Sequence, residues 1–174
     1  MARMLILYST TDGHTREICE RLSSVIMGRG HQVILAPATA EVRVDLQAFE
    51  RIIIGASIRY GRHNPLLIDF INRNAILLNS RPGAFFSVSV AARKQKNSRP
   101  ETNAYVRAFL RKVAWHPAQL AVFAGKIDYP RYRSIDRMMI RLIMWLTGGP
   151  TDPQSVVDFT DWRKVEEFGA TLAA

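Results

Sequence analysis

Five short apolar runs punctuate the chain, and each leads into a segment whose apolar residues recur at helical spacing. The first run, Met4 to Tyr8, gives way after Gly13 to a helical pattern starting at Thr15, with Ile18, Leu22, Val25 and Ile26 on one face. Val33 to Ala36 predicts a second strand, after which Pro37 opens a connection toward a weak helix near Val44 to Phe49. Arg51 to Ala56 is apolar without alternation, the pattern of a strand buried on both faces of a parallel sheet. A helix is predicted from Pro65, with Leu66, Leu67, Phe70, Ile71, Ile76 and Leu77 as its apolar set. Ala84 to Val90 is a fourth strand, followed by a basic loop over Ala91 to Glu101. The next helix, from Thr102, should bury Ala104, Tyr105, Ala108, Phe109 and Val113. Leu120 to Ala124 is the fifth strand, and a last helix opens at a Thr160-Asp161 cap and carries Trp162, Val165, Phe168 and Leu172. Strands alternating with helices predict an α/β fold: a doubly wound, five-stranded parallel sheet with helices on both faces. At 174 residues, without repeats or linker-like tracts, the chain is read as one domain over 1–174.

One segment does not fit this alternation. Gly125 to Val156, between the fifth strand and the last helix, is too long for a simple connection. Within it a helix is predicted over Ile135 to Thr147, stopped by Gly148-Gly149-Pro150. Ile135, Met138, Met139, Leu142, Ile143 and Leu146 share one face, and Arg133, Arg137 and Arg141 lie opposite. The plain expectation is that this apolar face packs on the sheet. Ile140 and Met144 among the arginines, Trp145 at the edge, and the flanking Tyr129, Arg131, Tyr132 and Arg133 point instead to a membrane-surface or apolar-ligand helix.

In doubly wound sheets ligands sit at the carboxyl ends of the strands, near the switch point. Three loops should converge there. The first is Ser9, Thr10, Thr11, Asp12, Gly13, His14 and Thr15, where hydroxyls, a glycine and a helix N-terminus coincide as a phosphate requires. It is neither G-x-G-x-x-G nor the lysine-bearing nucleotide loop, which favours a monophosphate over a triphosphate. An ordinary strand-to-helix turn with an N-cap threonine would read the same way. The second loop, Ser57, Ile58, Arg59, Tyr60 and Gly61, and the third, Ser89, Val90, Ala91, Ala92 and Arg93, could flank a flat ring, with Tyr60 a candidate to stack on it.

Charge narrows the partners. Lys and Arg outnumber Asp and Glu by 24 to 15, a net charge of +9. The whole excess lies between Arg93 and Arg141, where the acids are Glu101, Asp128 and Asp136. That concentration argues for an anionic partner: nucleic acid, anionic lipid or a small polycarboxylate. The single cysteine, Cys19, fits a reducing compartment and a packed thiol. No stretch is long and apolar enough to span a bilayer, and a first strand at the very start predicts no cleavable signal. His14, His31, His63 and His116 are scattered without metal-ligand spacing, so no metal is expected, and no catalytic base stands out.

The pattern T-x-x-G-x-T at Thr10, Gly13 and Thr15 resembles the FMN phosphate loop of flavodoxins. Further stretches are more specific: S-T-T-D-G-H-T-R-E-I at Ser9 to Ile18, I-G-A-S-I-R-Y-G at Ile54 to Gly61, and A-R-K at Ala92 to Lys94. T-N-A-Y at Thr102 to Tyr105, Y-P-R-Y-R-S-I-D-R at Tyr129 to Arg137, T-G-G-P-T-D at Thr147 to Asp152 and F-T-D-W at Phe159 to Trp162 complete the set. Together they resemble the flavodoxin-type, quinone-dependent protoporphyrinogen IX dehydrogenases of bacteria over almost the whole chain. The resemblance implies a flavodoxin-like fold, FMN on the three loops, and oxidation of protoporphyrinogen IX to protoporphyrin IX in heme biosynthesis. Six electrons would leave in three two-electron steps to a membrane quinone, menaquinone or ubiquinone. It also implies a cytoplasmic protein held peripherally on the anionic surface of the inner membrane. A flavodoxin-like electron carrier is the alternative that is not an enzyme, and the basic balance counts against it. A soluble NAD(P)H:quinone reductase would have no use for the insert, and a nucleic-acid-binding module would leave the loops unexplained.

Overall fold

The computed structural model describes residues 1–38 and 44–174. Five parallel strands, β1 (Arg3–Ser9), β2 (Gln32–Pro37), β3 (Arg51–Ser57), β4 (Gly83–Ser89) and β5 (Gln119–Ala124), form one sheet in the order β2-β1-β3-β4-β5. Chain direction across the sheet therefore reverses between β1 and β3, which sets the switch point at their carboxyl ends.

Alternate residues of each strand feed two apolar layers. Met4, Ile6, Ile53 and Phe86 pack under α1 (His14–Gly28) and α6 (Trp162–Leu172), against Ile18, Leu22, Ile26, Val165 and Leu172. Leu5, Leu7, Ile52, Ile54 and Phe85 face the other way, against Leu67, Ile71, Leu78, Phe109 and Trp115. These belong to α2 (Pro65–Arg73), α3 (Ala75–Asn79), α4 (Ala104–Lys112) and the segment after it. Cys19 is fully buried in the first layer, where burial pushes its thiol pKa up and leaves it protonated.

Several expectations about the helices are corrected. The weak helix near Val44 to Phe49 is a single 3-10 turn, Leu46–Ala48, capped by Asp45. The helix from Pro65 breaks at Asn74 into α2 and α3, so Ile76 and Leu66 face solvent and Leu78 takes the inner position. The helix expected from Thr102 starts at Ala104, because the Asn103 side chain accepts the N–H groups of Tyr105 and Val106. Its inner face is Val106, Phe109 and Val113, which leaves Ala104 exposed.

His63, just before α2, is buried edge-on against the stacked rings of Phe85 and Phe109 and shares a hydrogen bond of 2.8 Å with Ser87 Oγ. Burial, with a smaller push from Lys112, lowers its pKa from 6.5 to about 4. The folded protein thus binds this proton less readily than the unfolded chain. The stability this gives is complete above pH 6.5 and is lost progressively as the pH falls toward 4. Between pH 7 and 5.5 the loss should be on the order of 1 kcal/mol. His63→Gln should flatten that part of the Tm profile, and an unchanged slope would contradict the assignment.

Candidate functional site

A cavity of about 650 Å³ opens at the carboxyl ends of β1, β3 and β4. All three expected loops reach it: Thr10, Thr11, Asp12, His14 and Thr15 from the first, Ser57 to Gly61 from the second, and Ser89, Val90, Ala91 and Arg93 from the third. Three residues of the expected set do not line it. Ser9 Oγ meets the Asn64 side chain instead, and Gly13 holds the backbone turn. Ala92 is packed beneath, against Val106 and Val122.

The first loop is built to present unsatisfied donors. Gly13, at φ 86°, occupies a left-handed position that lets the chain enter α1, and its amide donates to Thr10 Oγ1 at 3.0 Å. Among the described residues no side chain caps the first turn of α1, whereas Asn64, Asn103 and Asp161 cap α2, α4 and α6. Thr15 Oγ1 in that turn is buried and has no partner among the described residues, and neither has Ser89 Oγ at the end of β4. Buried hydroxyls without partners are uncommon in folded proteins, and here two of them lie on the cavity's wall. His14 is turned to a structural task, with Nε2 2.7 Å from Thr160 Oγ1 and Nδ1 3.1 Å from Glu17, tying the loop to the start of α6.

The second loop is a two-residue hairpin. Arg59 and Arg62 exchange backbone hydrogen bonds of 3.0 and 3.2 Å, and both central residues, Tyr60 and Gly61, have positive φ. A left-handed tyrosine costs about 1–3 kcal/mol and persists only where contacts hold it. Asp136 supplies them. It is buried, and accepts hydrogen bonds of 2.5 Å from both Arg59 Nη2 and the Tyr60 hydroxyl. Arg59 also lies 3.7 Å from Asp12, whose pKa burial pushes upward against the pull of Arg59 and Arg131.

Asp136 belongs to the insert, which folds as β6 (Lys126–Asp128), a 3-10 turn, α5 (Ser134–Thr147) and β7 (Val156–Asp158), with β6 and β7 pairing antiparallel. Its own small core consists of Ile127, Tyr129, Tyr132 and Met144, so both tyrosines are internal. Burial raises the pKa of each hydroxyl. The plain expectation for α5, its apolar face packed on the sheet, is overturned. Ile135, Met138, Leu142, Trp145 and Leu146 are each more than half exposed, Trp145 at 70 %, whereas Met144 is 4 % exposed. The side turned to the protein is that of Asp136, Arg137, Ile140 and Met144, while Arg133 and Arg141 stay exposed. Arg137 donates to the carbonyls of Tyr129 and Tyr132, and Arg141 to that of Thr151. Arg93 reaches across to the Thr147 carbonyl and hydroxyl, satisfying the end of α5 before Gly148, at φ 74°, stops it. Met139, Ile140, Ile143 and Met144 form one wall of the cavity.

The flavodoxin domain family matches residues 5–154. Over 98 % of its length the chain is 43 % identical to the protoporphyrinogen IX dehydrogenase (quinone) of Escherichia coli strain K12, of which it covers 94 %. The chain belongs to this dehydrogenase family. The Leishmania major protein of the same name is 38 % identical over 99 % of the chain, which covers 75 % of that relative. Oxidised flavodoxin 2 from Bacillus cereus superposes with a TM-score of 0.59 over 99 % of this chain and 98 % of its own, at 17 % identity, and shares the fold.

Around the dehydrogenase's three loops stand residues that the strand pattern does not announce. Lys94, Lys96, Asn97 and Tyr105 come from beyond β4, Lys126 from β6, and Asp136 with the apolar wall from α5. Lys94, Tyr105 and Asp136 fall in the motif stretches of the sequence, and Lys96 and Asn97 in its basic loop, but no local pattern assigns them to the cavity.

Proposed function

We propose that this protein oxidises protoporphyrinogen IX to protoporphyrin IX with bound FMN and passes the electrons to a quinone held in the membrane. The observation that carries the reading is the double use of α5. Met139, Ile140, Ile143 and Met144 wall the cavity beside the FMN loops, while Ile135, Met138, Leu142, Trp145 and Leu146 form an apolar face toward solvent.

The residues present fit FMN. The uncapped first turn of α1, Thr15 Oγ1 and the Thr10 to Asp12 segment would hold the phosphate, and Ser57 to Gly61 with Ser89 to Ala91 would flank the ring. FMN accepts two electrons at a time, so the six-electron oxidation takes three rounds. The chain's own part is to bind and orient. The Asp136 bonds fix the hairpin at Tyr60, and the α5 wall keeps the far side of the cavity apolar. Asp12, also on the cavity wall, lies 3.7 Å from Arg59, and burial pushes its pKa upward against that pull.

No helix among the described residues is long and apolar enough to cross a membrane. The outer face of α5, with an exposed tryptophan and the neighbouring exposed Arg131 and Arg133, suits a helix lying in the interface of an anionic membrane. From there a quinone in lipid would be close to the cavity. Purified protein loaded with FMN should convert protoporphyrinogen IX to fluorescent protoporphyrin under anaerobic conditions only when quinone is added. Absence of conversion with either menaquinone or ubiquinone would overturn the reading.

A further inference from the structure

Beyond the FMN loops the cavity continues between α5 and the two 3-10 turns that follow β4, Val90–Arg93 and Gln95–Asn97. Lys94 and Lys96 line it there, together with the half-buried Tyr105, and Met139 and Ile143 supply apolar wall. Three arginines of this basic region have a task within the protein: Arg93 on Thr147, Arg137 on the Tyr129 and Tyr132 carbonyls, and Arg141 on Thr151, while Lys126 lines the cavity from β6, apart from the two 3-10 turns. Lys94 and Lys96 have no such task. Among the described residues neither forms an ion pair, and no acid of the region lies opposite them on the cavity wall except Asp136, which is committed to Arg59 and Tyr60. The phosphate loop cannot use them readily. It follows β1, and β3 lies between β1 and β4, so about 10 Å of sheet separates the two ends.

We propose that Lys94 and Lys96 form a carboxylate subsite that holds the two propionate arms of the tetrapyrrole, while its macrocycle lies toward Met139 and Ile143. The assignment rests on the reading of protoporphyrinogen IX as substrate and adds the groups that select it. Two ammonium groups on flexible stems, two residues apart, suit two carboxylates on flexible arms, and a free carboxylate gains a charged partner that an ester does not.

The test compares a dicarboxylic porphyrin with its diester. Protoporphyrin IX and its dimethyl ester are titrated against FMN-loaded wild type, Lys94→Gln, Lys96→Gln and the double variant, by fluorescence quenching. Each glutamine should weaken binding of the diacid about tenfold, leave the diester unchanged and leave FMN affinity unchanged, and Lys→Arg at both positions should restore most of the binding. Equal losses for diacid and diester would overturn the subsite, and so would loss of FMN affinity, which would give the lysines to the cofactor. Wild-type turnover of protoporphyrinogen IX is scored separately. Its absence would overturn the substrate reading itself, whereas its presence with discrimination that ignores both lysines would overturn only the subsite.

Discussion

Replacing Leu142, Trp145 and Leu146 together by glutamine should lower the partition of the protein onto anionic vesicles by about two orders of magnitude. Each side chain entering the interface contributes on the order of 1 kcal/mol, and the three are more than half exposed on one face of α5. Glutamine is a good helix former, and none of the three lines the cavity, so Tm and FMN affinity should stay at their wild-type values. Turnover with quinone in vesicles should fall far more than turnover with a soluble acceptor. The arginines are poor choices for this experiment. Arg137 and Arg141 hold the carbonyls of the insert, so reversing their charge would loosen α5 and the cavity wall at once. Unchanged vesicle binding by the triple glutamine variant would remove α5 from the membrane account.

Thr15→Val should weaken FMN binding by about 10- to 150-fold, the effect of losing ~1.5–3 kcal/mol from one hydrogen bond to a charged group. The substitution nearly preserves shape and deletes a hydroxyl that is buried without a protein partner in this structure, so the cofactor-free protein should be no less stable than wild type. That split, with affinity lost and apo stability kept, distinguishes a phosphate ligand from a packing residue. Titration of FMN fluorescence reads the first and thermal unfolding the second. An unchanged Kd would move the phosphate away from the start of α1.

The strands and the three loops were legible because a parallel sheet buried on both faces leaves unbroken apolar runs, and their carboxyl ends mark where ligands go. Helix boundaries were less so. Asn103 sets the start of α4 two residues past Thr102 and thereby turns its inner face to Val106, and the break at Asn74 carries no proline or glycine to announce it. The insert leaves two orientations open for a different reason. Periodicity groups Ile135, Met138, Leu142 and Leu146 on one face but cannot say whether that face points inward. The answer came from the other side of the helix, where Met144 joins Ile127, Tyr129 and Tyr132 in a core of their own. The links from Asp136 to Arg59 and Tyr60 span more than seventy residues, and no local pattern encodes them.

Oxidation of protoporphyrinogen IX through bound FMN to quinone fixes the electron balance of the reaction. FMN-loaded protein is mixed anaerobically with protoporphyrinogen IX and with quinone in anionic vesicles, and protoporphyrin and quinol are quantified together. Six electrons passed on two at a time predict three quinols for every protoporphyrin, with no protoporphyrin formed when quinone is left out beyond what the bound flavin itself can accept. Protoporphyrin formed at the same rate without quinone, or quinol formed without matching porphyrin, would contradict it.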